Sequence, residues 1–437
     1  MRAPAPLFAR SRRSRRGFTL VELMVALTGG LFVSLAVFAL ARDSGRFYQR
    51  ESRVASATVG ALVGFERLRT DIARTGFLAT PDAMLDPAVC LKPNANWPLA
   101  LRSLASVRID TSTATGVLAA NGRNLQTLTL AGSYASADIF PARVVNGNET
   151  VTFYMIPGSP ALTRLGNGSN PSTAAVQGVF ATGRALRFVQ YGKQYYGQIV
   201  SATGGNAPSV TINNNPPIQF RSGSATGCGA EIIGSGAGEG TINVVNFIQY
   251  SLRNLSQNPQ GAPGAQTALG KANYASLYSN SASGPMAAAT IDGEAGRTEL
   301  VRVEQDVTGT AIEGTEEITA EYAVDLGFQV TAVTGLVGCC DPIVSAISPT
   351  ATAFASFTGD AFNPTVTPEK IRNVRVRLGI RSRESDRVAD VGADVGADST
   401  RGLYRFNIGT GGATNAFARV RTFQADVALY NQMDVLW

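Results

Sequence analysis

The sequence predicts an α+β protein. A long N-terminal α-helix, its first half membrane-spanning, precedes an antiparallel β-rich head that carries a large loop-rich insertion. Three observations predict this. No proline occurs between Phe18 and Arg74; residues 18–41 contain a single charge, Glu22; and beyond about residue 76 the apolar residues recur with a period of two between Gly, Asn and Pro turns. The chain has 437 residues, 44% of them hydrophobic and 16% charged, enough apolar material for a sizeable core. Its 46 glycines favour turns and short strands over a helical bundle.

The first element is a basic leader, residues 1–17. Arg2, Arg10, Arg12, Arg13, Arg15 and Arg16 precede Gly17, and no acid does. Subtracting them leaves 38 − 6 = 32 basic residues against 32 acidic ones. The net charge of +6 therefore belongs to a topogenic tail that holds the leader on the cytoplasmic side, and it implies no nucleic-acid partner for the rest.

The second element is the apolar run of residues 18–41, long enough for a bilayer, which takes about 20 helical residues. A cleaved secretory signal is the alternative, since Ala39 and Ala41 supply an A-x-A site. The run is longer than the usual apolar region of such a signal, and Glu22 sits inside it.

The helix continues to about residue 75. At 100° per residue Phe47, Val54, Thr58, Ala61, Leu62, Phe65, Leu68 and Ile72 share one stripe, with Arg53, Arg67, Asp71 and Arg74 on the other side. Gly29 and Gly30 are a weak point or a place for close helix packing. Gly76 and Pro81 end the pattern.

The head occupies residues 76–437. Strands are expected at 125–131, 150–156, 185–191, 210–213, 242–252, 300–305, 371–383 and 419–430, and a short helix at 316–326 before a strand at 328–333. Val374, Val376, Leu378 and Ile380 face one side of their strand; Arg375, Arg377, Arg381 and Arg383 face the other. Residues about 155–300, with GNGSNPSTAA, NNNPP and GSGAGEG, read as an insertion of long loops on a few strands.

The chain contains no histidine, which excludes Ser-His-Asp and Cys-His catalysis and HExxH zinc sites. No cofactor is indicated, because the Gly runs lack GxxxxGK[ST]. Cys90, Cys228, Cys339 and Cys340 make an even count that suggests two disulfides in an oxidising compartment, with the pairing open. Their spacing does not suit zinc, and Asp390, Asp394 and Asp398 in DVGADVGADS suit a polar loop better than a calcium loop. The arginine face of 371–383 is read as solvated or salt-bridged rather than as a DNA contact.

Residues Gly17-Phe18-Thr19-Leu20-Val21-Glu22-Leu23-Met24-Val25-Ala26-Leu27, behind a basic leader, resemble the processing site of type IV prepilins and the related secretion pseudopilins. The resemblance implies cleavage after Gly17 by a prepilin peptidase, methylation of the new Phe18 amine, and retention of the apolar helix as anchor and assembly element. As the fifth residue from that terminus, Glu22 lies only about 6 Å along the axis and reaches the lipid interface. In a filament interior an unpaired carboxylate is costly, and the Phe18 amine of a neighbour is its natural partner. The pilin pattern also lays the second half of the helix on the head.

The C-terminal runs AEYAVDLGFQVTAV, IRNVRVRLGIRSR and ARVRTFQADVALYNQ, with ERLRTDIARTGF at Glu66–Phe77, are similar to heads of PilW-type minor pilins and of the J-type pseudopilin. The expectation is a non-catalytic minor pilin that primes or caps a type IV pilus, anchored in the inner membrane with its head in the periplasm. Its implied partners are other minor and major pilins, a tip-associated adhesin, the peptidase, the assembly platform and, before assembly, inner-membrane lipid. The alternatives are a type II secretion pseudopilin and an exported or anchored enzyme.

Overall fold

Helix α1 runs unbroken from Leu20 to Ala73. The structure is a computed structural model that describes residues 19–112, 118, 121–122, 125–146, 149–166, 170–221, 228–231, 238–253, 298–312, 314–337, 341–347, 367–382, 405–408 and 417–433. The chain divides into residues 1–56 and 57–437, and α1 contributes to both units. The helix stops where Gly76 takes a φ of +73°, a conformation that costs glycine nothing. Thr75 Oγ1 then donates to the Ser106 carbonyl at 2.6 Å, and Gly76 N to the Ala131 carbonyl at 2.8 Å.

A connector of residues 76–106, with one short helix at Leu99–Arg102, follows. Its Ala83, Val89, Trp97, Leu101 and Leu104 share a buried cluster with Tyr196, Val245 and Phe247. The next strands are β1 (Val107–Ser112), β2 (Leu125–Gly132), β3 (Phe140–Asn146), β4 (Thr150–Met155), β5 (Ala185–Gln190), β6 (Lys193–Thr203), β7 (Ser209–Asn213), β8 (Phe220–Arg221), β9 (Ala230–Glu231) and β10 (Gly238–Arg253). Two short helices, Pro160–Arg164 and Thr173–Val179, lie between β4 and β5, each begun by a serine, Ser159 or Ser172, whose hydroxyl caps it.

These strands close a barrel. β3, β4, β7, β6, β5 and β10 pair in that order, all antiparallel, and β10 returns to β3, so six strands leave no open edge. The inward residues alternate as the pleat requires: Phe140, Ala142 and Val144 on β3, Val151, Phe153 and Met155 on β4, Ile242 and Val244 on β10. They are fully buried, and the Phe153 ring lies 5.0 Å from that of Phe188. The interior is packed side chain, as expected of so narrow a barrel. The part of the chain read as a loop-rich insertion thus supplies most of this barrel, while residues 254–297 lie outside the described set.

β10 continues out of the barrel and joins it to further strands of the same sheet. Its first half pairs β3 and β5; its second half, Asn246–Arg253, pairs β2 and β11 (Glu299–Gln305), which pairs β12 (Glu317–Ala320). At the crossover Asn246 Oδ1 accepts from Tyr134 N and Ala135 N, and its Nδ2 donates to Glu304, which Arg184 grips with two bonds of 2.7 and 2.8 Å.

A second sheet orders β14 (Asp341–Ile347), β13 (Ala323–Val337), β15 (Ile371–Arg381), β17 (Phe417–Ala428) and β16 (Arg405–Asn407). The three C-terminal runs that resemble pilin heads form its adjacent β13, β15 and β17. Val374, Val376, Leu378 and Ile380 are buried on one face, as their alternation predicts. That face shares a core with Ala61, Phe65, Leu68 and Ile72 of α1 and with Leu128, Ile248 and Leu300 of the first sheet. The Phe65 and Phe423 rings are 5.8 Å apart.

The expected helix at 316–326 is instead strand β12, a turn at Tyr322 with φ +55°, and the start of β13, which carries the chain from the first sheet into the other. The run Ala323–Leu326 is wholly buried because its side chains enter two cores, Ala323 and Leu326 the one shared with α1 and Val324 the one with Phe406 and Val420, so the period-two signal disappears. The turn is held by a 2.9 Å bond from Tyr322 N to the buried Glu299 carboxylate and by Arg381 stacked 5.0 Å over the Tyr322 ring.

Candidate assembly segment

Thr19 and Glu22 start α1 as a reciprocal cap. Thr19 N and Oγ1 each donate to Glu22 Oε2 at 3.0 Å, and Glu22 N donates to Thr19 Oγ1 at 3.3 Å. This is the capping box that T-x-x-E spells, and it satisfies amides that begin a helix without partners. Sequence reasoning assigned Glu22 a partner on another chain and overlooked the local one, although the spacing announces it.

Beyond the cap, Leu20–Gly45 is long and apolar enough to cross a membrane, and none of it is buried in the protein. Leu20, Phe32 and Leu40 are each more than 70% exposed, which only lipid or other protein can make favourable. Thr28 Oγ1 donates to the Met24 carbonyl at 2.9 Å, so its hydroxyl needs no outside partner in lipid, and the helix continues through Gly29 and Gly30. Gly17 and Phe18, the expected processing residues, lie outside the described residues.

The other end of α1 is fastened to the β-rich body. Of the expected stripe, Ala61, Phe65, Leu68 and Ile72 are buried, Leu62 is half exposed because it sits 100° round the helix from Ala61, and Phe47 is exposed on the apolar unit. Gly64 allows the approach: a Cβ there would lie 2.0 Å from the Thr319 carbonyl oxygen on β12. Asp71, expected on the solvent side, is 1% exposed. Its Oδ2 accepts from Tyr250 Oη at 2.8 Å and from Arg302 Nε at 2.7 Å, while its carbonyl accepts from Tyr134 Oη.

The arginine face of β15 is matched by acids. Arg375 makes two bonds to Asp426 directly across on β17, and Arg377 reaches Asp325 on β13 at 2.8 Å. Gly327 and Gly379 leave room for the Asp325–Arg377 pair, since a Cβ on either would press into it at 2.8 Å. Arg381 is buried; Arg383 lies outside the described residues. Of the four cysteines, Cys90 and Cys228 are brought together, with Cys228 Sγ 3.4 Å from the Cys90 carbonyl oxygen. Cys339, Cys340, Asp390, Asp394 and Asp398 lie outside the described residues. Among the described residues no three His, Cys, Asp or Glu side chains gather as a metal site.

Comparison with known families places one feature. Residues 12–28 match the prokaryotic N-terminal methylation motif, the signal of type IV prepilins. With the exposed apolar helix behind it, the motif supports a membrane-anchored protein of pilin or pseudopilin type. It implies processing by prepilin peptidase and interaction with other pilins. No curated protein and no solved structure matches the chain.

Proposed function

We propose that the chain is a non-catalytic minor pilin of the PilW type. It enters the inner membrane with its β-rich head in the periplasm, is cut after Gly17, and assembles with other minor pilins to prime or cap a type IV pilus. The observation that carries the reading is the methylation motif of residues 12–28 running directly into a lipid-ready helix. Support for the PilW type comes from β13, β15 and β17, which lie side by side against the second half of α1. Support for a non-catalytic role comes from the absence of histidine from the sequence.

Assembly is an exchange of lipid for neighbouring helices, with Phe18 and Glu22 setting the register. A carboxylate accepts about four hydrogen bonds, so Glu22 can cap its own helix and still receive the methylated Phe18 amine of an adjoining subunit. A tip-associated adhesin, major pilins and the inner-membrane assembly platform complete the set of partners. Deletion of the gene, with surface filaments sheared and counted, tests the reading: filaments should be lost, and the protein should appear in the sheared fraction of the parent. Normal filaments together with retained export substrates point to a type II secretion pseudopilin instead.

A further inference from the structure

We infer that Cys90 and Cys228 form a disulfide that ties the connector following α1 to the segment that enters β9. The two residues are 138 positions apart and converge on one phenol. Cys90 Sγ lies 3.6 Å from Tyr195 Oη, and Gly229 N, next to Cys228, donates to the same oxygen at 3.2 Å. Cys228 Sγ lies 3.4 Å from the Cys90 carbonyl oxygen, and both cysteines are free thiols in the structure. Cys90 is held independently by its backbone: Cys90 N donates to the Gln194 carbonyl of β6, and Gln194 N to the Ala88 carbonyl. Cys228 leads directly into β9, whose Ala230 N bonds the Gln219 carbonyl and whose Ala230 side chain packs in the barrel core.

Burial, and after it the neighbouring Cys90, raise the pKa of the Cys228 thiol, so the thiolate is scarce and uncatalysed oxidation is slow. A thiol–disulfide oxidoreductase of an oxidising compartment supplies what is missing. Its disulfide is attacked by one cysteine to give a mixed disulfide, which the second cysteine resolves. One S–S bond forms in this chain and one is broken in the donor. Two thiols here are oxidised, and the donor's two sulfurs take the two electrons and, with two protons, become thiols. The product links the connector to β9 directly, where the chain otherwise passes through β1 to β8. A pull on the barrel then reaches the base of α1 through one covalent bond.

This inference rests on the proposed export of the body, and its test separates the two. The full-length protein is taken from membranes of the native cells, its free thiols are blocked with N-ethylmaleimide under denaturing conditions, and the unreduced chain is digested with trypsin. Residues 75–102 hold Cys90, residues 222–253 hold Cys228, and residues 303–370 hold the two remaining cysteines, each in a separate peptide. The expected result is a 75–102/222–253 cross-link that disappears on reduction, and a melting temperature that falls with reductant in the parent but not in a Cys90→Ser/Cys228→Ser double variant. Maleimide on both peptides, or a link from either one to 303–370, overturns the inference. If a methylated Phe18 peptide is present in the same digest, that failure belongs to the disulfide alone; if it is absent, the export reading fails with it.

Discussion

Asp71 and Arg302 form a buried ion pair, Oδ2 to Nε at 2.7 Å, at the point where α1 meets the strand β11. Tyr250 adds a second bond to the same oxygen. Removing one partner of such a pair strands the other charge in a dry site, at about 3–5 kcal/mol. Asp71→Ala is therefore expected to cost that much in chemical unfolding of the detergent-solubilised protein, and Arg302→Met with Asp71→Leu together far less than the sum of the single changes. Strict additivity would show that the pair does not hold the helix.

Two glycines of α1, one turn apart, should respond in opposite directions. Nothing lies within 4 Å of a Cβ on Gly60, whereas one on Gly64 would collide with the Thr319 carbonyl. Gly60→Ala should stabilise by up to about 1 kcal/mol, the ordinary helix preference. Gly64→Ala should destabilise by about 1–3 kcal/mol through overpacking. Equal effects at the two sites would mean that β12 does not press on the helix as described.

Asp82 and Glu369 are both 1% exposed, and Asp82 Oδ2 and Glu369 Oε2 have no hydrogen-bond donor among the described residues. Burial, with the Glu369 carboxylate adding to it against bonds from the Met84 and Leu85 amides, pushes the Asp82 pKa up to about 7. The folded chain keeps a proton there that the unfolded chain gives up above about 4. The sign follows: this stability is fully present below the unfolded value and is lost as pH rises through about 7. Asp82→Asn places an amide donor where the proton stood. The stability of the parent to unfolding should fall between pH 5 and pH 8 more than that of the variant, with a difference on the order of a few kcal/mol; parallel curves would contradict the raised pKa of Asp82.

Glu22 carries two roles that one pair of substitutions separates. Glutamine preserves the capping box and removes the charge; alanine removes both, with about 1 kcal/mol lost from the cap. Both variants should insert, be processed and accumulate in the membrane, and neither should enter sheared filaments. Filament entry by Glu22→Gln with failure of Glu22→Ala would show that the cap, rather than the charge, is what assembly needs.

The parts legible in the sequence were those whose cause is local. The apolar run, the end of α1 near Gly76 and the alternation of Val374, Val376, Leu378 and Ile380 each follow from a pattern within a dozen residues. Barrel closure was not legible, because it depends on Thr241–Val245 pairing with Ala185–Val189, and neither stretch carries a mark of its partner. Asp71 was placed on the wrong side because an acid on a helix is ordinarily solvated; its partners come from β10 and β11, more than 170 residues away. Ala323–Leu326 was read as helical because burial on both faces of the strand erases the alternation that distinguishes strand from helix.

The most direct test of the account is the mass of the mature N-terminal peptide from membranes and from sheared filaments. It should begin at an N-methylated Phe18 and retain the whole apolar segment through Gly45. A mature chain that begins at Arg42, released from the membrane, would contradict it.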